Sequence, residues 1–149
     1  MKLHKFYLMA VLALLLGISG CSTTKHDNKA VNYALKLQGT PYKAGGTSPK
    51  TGFDCSGFVS YVYAKSVGLK LPRDSHSQSK TGKSVKRTNL KPGDLVFFKL
   101  GKSKKVNHVG IYIGDNNFIH APSSKGKVRI ESLDLPYWQK SYFTARRVY

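Results

Sequence analysis

The sequence predicts an α+β domain in which the helices come first and a mostly antiparallel sheet follows. Two apolar patterns of helical period occupy the first half of the chain, the first with a capping residue before it, and each is followed by a glycine. Beyond Lys91-Pro92-Gly93-Asp94 the apolar residues come instead in short runs separated by Gly, Lys, Asp and Asn. Helices followed by strands, without βαβ alternation, indicate that fold class, and a chain of 149 residues suits one domain.

The chain opens with Lys2, His4 and Lys5 and continues into an apolar run from Phe6 to Ile18. That run is shorter than the ~20 residues of a membrane-spanning helix and reads as an export signal. Ile18-Ser19-Gly20-Cys21 has the branched-apolar, small, small, cysteine pattern of a lipobox, so residues 1–20 are expected to be removed and Cys21 to carry lipid. An ordinary secretory signal with a chance cysteine at its end is the plainer alternative. Residues 21–28 read as the lipidated cysteine and a short tether, reaching at most about 28 Å, and residues 29–149 as the folded domain.

In the first predicted helix, Asn28 to Gln38, Ala30, Val31, Ala34 and Leu35 share a face, Asp27 or Asn28 caps the start and Gly39 stops it. Thr40 to Gly52, rich in Gly, Pro, Thr and Ser, reads as a loop. The second helix starts at or beside Cys55, carries Phe58, Val59, Val62, Tyr63 and Val67 on one face and ends at Gly68. Leu71-Pro72-Arg73 breaks the chain, and Ser75 to Thr81 can hold a short third helix. Strands are expected at Leu95–Phe98, Val106–Ile113 and Phe118–Ala121, with weaker candidates at Val128–Ile130 and Ala145–Val148.

The formal charge is +18, and loss of Lys2 and Lys5 with the signal leaves 23 basic residues against 7 acids, or +16. Such an excess suits anionic surroundings: phospholipid head groups, an acidic polymer or nucleic acid. Nucleic acid is the weakest of these and is not expected as a partner, because the basic residues are scattered instead of lining one helix. A solvated basic face is the bland alternative.

With Cys21 assigned to lipid, Cys55 has no disulfide partner. It is either buried packing or a nucleophile. A helix N-terminus favours the thiolate through unpaired amides and the helix dipole, and a histidine nearby can hold the proton. His108 and His120 flank a turn in the strand region, with His108 as the base and His120 as the residue that orients it; His4, His26 and His76 fall in the signal, the tether and a polar segment. A regular hairpin through Gly114 and Asn117 puts the two rings on opposite faces, so an odd loop or β-bulge around Asp115-Asn116-Asn117 is expected. Zinc on one cysteine and two histidines is the chemical rival, but no paired short ligand spacing is present and no metal is expected.

The chain resembles the NlpC-type cysteine endopeptidases of bacterial peptidoglycan, in particular their subset of small Gram-negative lipoproteins. The likeness spans roughly Gly39 to Val148. It rests on Gly39-Thr40-Pro41-Tyr42 with Gly45-Gly46, Asp54-Cys55-Ser56-Gly57-Phe58-Val59, Leu71-Pro72-Arg73, Pro92-Gly93-Asp94-Leu95-Val96-Phe97-Phe98 and the two histidine segments. Pro136-Tyr137-Trp138 and Ala145-Arg146-Arg147-Val148 match the lipoprotein subset.

The resemblance implies a papain-like fold and hydrolysis of amide bonds in peptidoglycan stem or cross-link peptides, without metal or cofactor. It assigns Cys55 as nucleophile, His108 as proton acceptor and His120 as the third polar residue. Tyr42 is implied to assist the oxyanion. Asp54 and Ser56 are implied to border the substrate groove, and Arg73 either meets a stem-peptide carboxylate or is structural. The expected protein is a monomer, tethered through Cys21 to the cell envelope at the periplasmic face of the outer membrane. A catalytically idle lipoprotein that binds peptidoglycan or scaffolds hydrolases is the competing function, and peptidyl transfer from the same thioester is a third.

Overall fold

A computed structural model describes residues 28–149; the signal segment, Cys21 and the tether up to Asp27 lie outside the described residues. The helices are α1 (Lys29–Lys36), α2 (Cys55–Val67), α3 (Ser75–Gln78) and α4 (Pro136–Ser141). A two-stranded hairpin pairs β1 (Thr47–Ser48) with β2 (Gly52–Phe53). The main sheet contains β3 (Lys83–Val85), β4 (Leu95–Phe98), β5 (His108–Gly114), β6 (Asn117–His120), β7 (Arg129–Ser132) and β8 (Tyr142–Arg147). Its order is β3–β8–β4–β5–β6–β7, with every neighbour antiparallel. The α+β architecture with an antiparallel sheet is as expected.

Local chemistry fixes the two main helices. Asn28 caps α1 by accepting from the Val31 N–H at 3.0 Å, and Asp54 caps α2 by accepting from Gly57 at 2.7 Å. Gly68 closes α2 in the left-handed conformation, with φ 69°. Gly57 itself is required by close approach, because a Cβ there would lie 2.1 Å from the Gly46 carbonyl oxygen. The Gly45-Gly46 loop is thereby held against the first turn of α2.

The sheet is apolar on both faces. Along β4, Leu95 and Phe97 join the core beneath α1 and α2, while Val96 and Phe98 join a second core with Phe118, Leu133, Trp138 and Ala145. All four β4 residues are fully buried, and each large side chain so placed contributes about 1.5–3 kcal/mol. A central strand covered on both sides explains a continuous apolar run where a one-sided strand would alternate. Because Phe98 pairs with His108 across the sheet, His108 starts β5 on the face that Trp138 covers.

The β5–β6 hairpin contains the expected irregularity, displaced toward β5. Tyr112 pairs with Phe118 but Gly114 with Asn117, so Ile113 is an extra residue on the β5 side. Asp115 and Asn116, at φ 51° and 57°, form a two-residue turn of the kind that suits tight hairpins. Ile111 therefore faces Ile119 instead of His120, and both histidine rings reach the same side.

The sequence-based expectations differ from the structure at several elements. The Thr40 to Gly52 segment, expected as plain loop, includes β1 and the start of β2. The third helix is confined to Ser75–Gln78, while β3 and α4 were not anticipated. Among the described residues, no helix is long and apolar enough to cross a membrane.

Candidate active site

Cys55 is the first residue of α2, and His108 is the first residue of β5. Both line a cleft of about 410 Å³, together with Tyr42, Asn107, Ser123 and Tyr137. The cap at Asp54 fixes where α2 begins, and with it the position of the thiol. The backbone amides of Val109, Ser56 and Cys55 lie against the sulfur and favour its anion. Burial acts the other way and is stronger, so the thiol pKa is raised, with the Asp54 charge adding to the rise. The helix-start amides thus act in the expected direction but do not set the outcome.

His108 Nε2 lies 2.7 Å from His120 Nδ1. Both rings are buried, His120 completely. Burial, reinforced by the neighbouring ring, holds the His108 pKa well below the usual imidazole range; burial also lowers that of His120, opposed by Glu131. A protonated thiol beside a neutral imidazole is the resting pair that these directions favour. Such a pair can pass a proton from sulfur to nitrogen as the sulfur attacks a carbonyl.

The sheet supplies a second layer that sequence reading missed. His120 Nε2 lies 3.1 Å from Glu131 Oε2, and Trp138 donates its indole N–H to that same oxygen at 2.9 Å. The Trp138 ring also stacks on His108, with centroids 5.5 Å apart and planes 27° from parallel. Trp138 is therefore the wall behind the histidines. Glu131 is the only glutamate in the sequence, but it falls just beyond the expected Val128–Ile130 strand and had no local pattern to mark it.

The remaining sequence candidates separate into two groups. Tyr42 lines the Cys55 cleft, and burial followed by the Cys55 and Asp54 charges raises its pKa, so its hydroxyl keeps its proton and can donate. Asp54, Ser56 and Arg73 instead bond to one another at the helix start. Arg73 Nη1 donates to Asp54 Oδ1 and to Ser56 Oγ, both at 3.0 Å, and Arg73 Nη2 reaches Asp54 Oδ2 at 2.7 Å. Cys21 lies outside the described residues.

Residues 39–147 match the NlpC/P60 family. The chain is 50% identical over 111 residues to the Escherichia coli K12 protein named murein DD-endopeptidase MepS/murein LD-carboxypeptidase, covering 74% of this chain and 57% of that one. It is 43% identical over 157 residues to the probable endopeptidase NlpC of the same organism, covering 97% and 99%. A crystal structure of a NlpC/P60 family protein from Bacillus cereus superimposes with a TM-score of 0.74 at 43% identity, over 80% of this chain and 39% of that one. The chain thus spans little more than half of the MepS relative and less than half of the Bacillus cereus protein. The match reaches from the Gly39 turn through the cleft to β8, and the chain belongs to the NlpC/P60 family.

Proposed function

We propose that this protein is a thiol endopeptidase acting on the peptides of peptidoglycan, with Cys55 as nucleophile, His108 as general base and His120 as the residue that orients His108. One observation carries the reading: Cys55 and His108 open on one cleft while His108 Nε2 is tied to His120, leaving Nδ1 as the ring nitrogen for the thiol. The name of the MepS relative supports the substrate class, and that of the NlpC relative supports endopeptidase activity.

The cycle begins as the Cys55 proton passes to His108 and the sulfur attacks the peptide carbonyl. The oxyanion takes hydrogen bonds from the Cys55 backbone N–H and the Tyr42 hydroxyl. His108 returns the proton to the leaving amine as the C–N bond breaks, and an acyl-enzyme remains. Water, deprotonated by His108, then hydrolyses the thioester and frees Cys55. Asp54, Ser56 and Arg73 form a cluster next to Cys55 in sequence and bonded through Arg73, and in this reading the exposed part of the Arg73 side chain meets a substrate carboxylate. Cys21 carries lipid in this reading, and the monomeric enzyme works at the envelope, on the periplasmic face of the outer membrane.

Digestion of purified sacculi by the wild type and by Cys55→Ala tests the proposal. Soluble fragments from the wild type alone support it, and their masses distinguish the D-alanyl–diaminopimelate cross-link from the D-glutamyl–diaminopimelate bond. Equal release by both proteins would leave only peptidoglycan binding or scaffolding. Products lengthened by an added amine acceptor would reveal transfer.

A further inference from the structure

We infer that Glu131 is a positioning residue that sets the proton arrangement of both active-site histidines. The inference rests on the thiol-and-imidazole reading above, but its geometry is independent of the substrate. Phe118 pairs with Glu131 across β6 and β7, and His120 is two residues along β6 from Phe118. Glu131 and His120 therefore stand on one face, the face on which His120 meets His108.

Hydrogen-bond polarity along this row permits one solution. Glu131 Oε2 receives the Trp138 indole N–H, which can only donate. Bonding to His120, then to Trp138, together with the Arg129 charge, keeps the Glu131 carboxyl below the usual range, so it is ionised and accepts only. His120 Nε2, 3.1 Å away, must then carry hydrogen. In the neutral ring this leaves His120 Nδ1 as an acceptor, and its partner at 2.7 Å, His108 Nε2, must be the donor. His108 Nδ1 is thereby left bare, the state a base for Cys55 requires. The opposite polarity would put the proton on His108 Nδ1 and leave no base for the thiol.

The carboxylate also faces the charge that develops during attack. When the Cys55 thiol proton moves to His108 Nδ1, sulfur gains a negative charge and His108 a positive one. That cation donates through Nε2 to His120, which donates to Glu131. The charged and titratable groups around this row include Cys55 on α2 with the Asp54 charge beside it, Tyr42 and Tyr137 on the cleft wall, the two histidines, and Arg129 and Glu131 on β7; Arg129 Nε lies 3.4 Å from Glu131 Oε1. Oε2 remains with His120 and Trp138. The Glu131 side chain is 10% exposed, so little solvent screens it.

Long-range ¹H–¹⁵N imidazole spectra of the full-length protein, with kinetics on a soluble cross-linked muropeptide, test the inference. In the wild type both rings should carry hydrogen on Nε2 at neutral pH. Glu131→Leu should convert one or both rings to mixed tautomers and lower kcat by about tenfold or more, without exceeding the ~10²–10⁴ that general-base catalysis supplies in full, with KM changed less than about twofold.

Glu131→Gln is the second variant, because one oxygen already accepts both bonds and a glutamine carbonyl can replace it. It should keep the wild-type ring pattern and retain more kcat than Glu131→Leu. Its acid limb should move to lower pH, since loss of the negative charge weakens imidazolium. Wild-type ring spectra and kcat in Glu131→Leu would overturn the inference, as would a Gln variant indistinguishable from Leu. If Cys55→Ala digested sacculi normally, the functional reading would fail, while the ring spectra would still decide whether Glu131 sets the tautomers.

Discussion

Arg73 grips Asp54 with both ends of its guanidinium, at 3.0 and 2.7 Å, while the same carboxylate caps the helix that begins with Cys55. One acidic side chain therefore joins the Leu71-Pro72-Arg73 turn to the placement of the thiol. Ser56 completes the cluster through Arg73 Nη1.

The cap should matter more to stability than the ion pair. Asp54→Ala removes an N-cap, at a cost of about 1 kcal/mol. Arg73→Ala removes an ion-pair partner whose side chain is 48% exposed, and solvent screening keeps that cost below about 1 kcal/mol. Urea midpoints at constant m-value measure both, and a larger loss in Arg73→Ala would reverse this ranking.

The two histidines should differ in kinetic weight. His108→Ala removes the proposed base and should reduce sacculus digestion by about 10²–10⁴-fold. His120→Gln retains an oxygen able to accept from His108 Nε2 and should lose less. Equal losses would contradict the assigned roles.

Acid should destabilise the fold through these rings. Both have depressed folded-state pKa values, so the unfolded chain binds protons first as pH falls. The stability is fully present above the unfolded imidazole value near ~6.5 and declines below it, by up to about 1.4 kcal/mol per pH unit for each proton. Glu131, also depressed, adds a loss that begins at more acidic pH. Urea melts from pH 7.5 to 5 should show this slope in the wild type and a shallower one in His120→Gln.

Gly110 leaves room for the ring beside it. A Cβ there would lie 2.6 Å from Phe118 Cδ2 and 3.1 Å from His120 Cβ. Gly110→Ala should therefore destabilise by about 1–3 kcal/mol through overpacking, and the imidazole spectrum of His120 should shift with it. An unchanged urea midpoint would show that the strands yield.

Asp94 and Arg147 form a two-pronged pair, with Nε to Oδ1 and Nη2 to Oδ2 both at 2.7 Å. Asp94 is 1% exposed, whereas the Arg147 side chain remains 35% exposed. Arg147→Met leaves a buried carboxylate without its cation, held by the Lys91 N–H at 2.8 Å, and should cost about 2–3 kcal/mol, less than the ~3–5 kcal/mol of a fully buried pair. Adding Asp94→Asn should restore part of the loss in the same urea assay.

The features legible in sequence were those fixed by neighbours along the chain. A cap at Asp27 or Asn28, the start of the second helix at or beside Cys55, Gly68 as a stop and the apolar β4 run depend on local geometry and composition. β3 was hidden because Lys83, Ser84 and Val85 lack an apolar alternation, yet the strand forms at the sheet edge by pairing with β8. α4 spans only Pro136–Ser141, too short for helical period to declare itself, although Pro136 is a recognised start residue.

At the site, the pairing of His108 with His120 followed from their positions around a turn, and the parity problem correctly called for a bulge. Its place at Ile113 depends on how Asp115 and Asn116 turn. Glu131 was invisible because its partners come from β6 and α4, not from its own segment. The raised Cys55 pKa was likewise hidden: a helix start can be read from sequence, but burial comes from the assembled fold.

The extra residue in the hairpin makes the effect of shortening it depend on where the chain is cut. Deleting Ile113 should straighten β5 while Tyr112 still meets Phe118 and Ile111 still meets Ile119. Deleting one residue between His108 and Tyr112 would leave the tip intact but turn His108 to the opposite face of the sheet. Two chains of equal length, differing only in the position of the missing residue, should therefore separate into one that preserves the histidine pair and one that loses it.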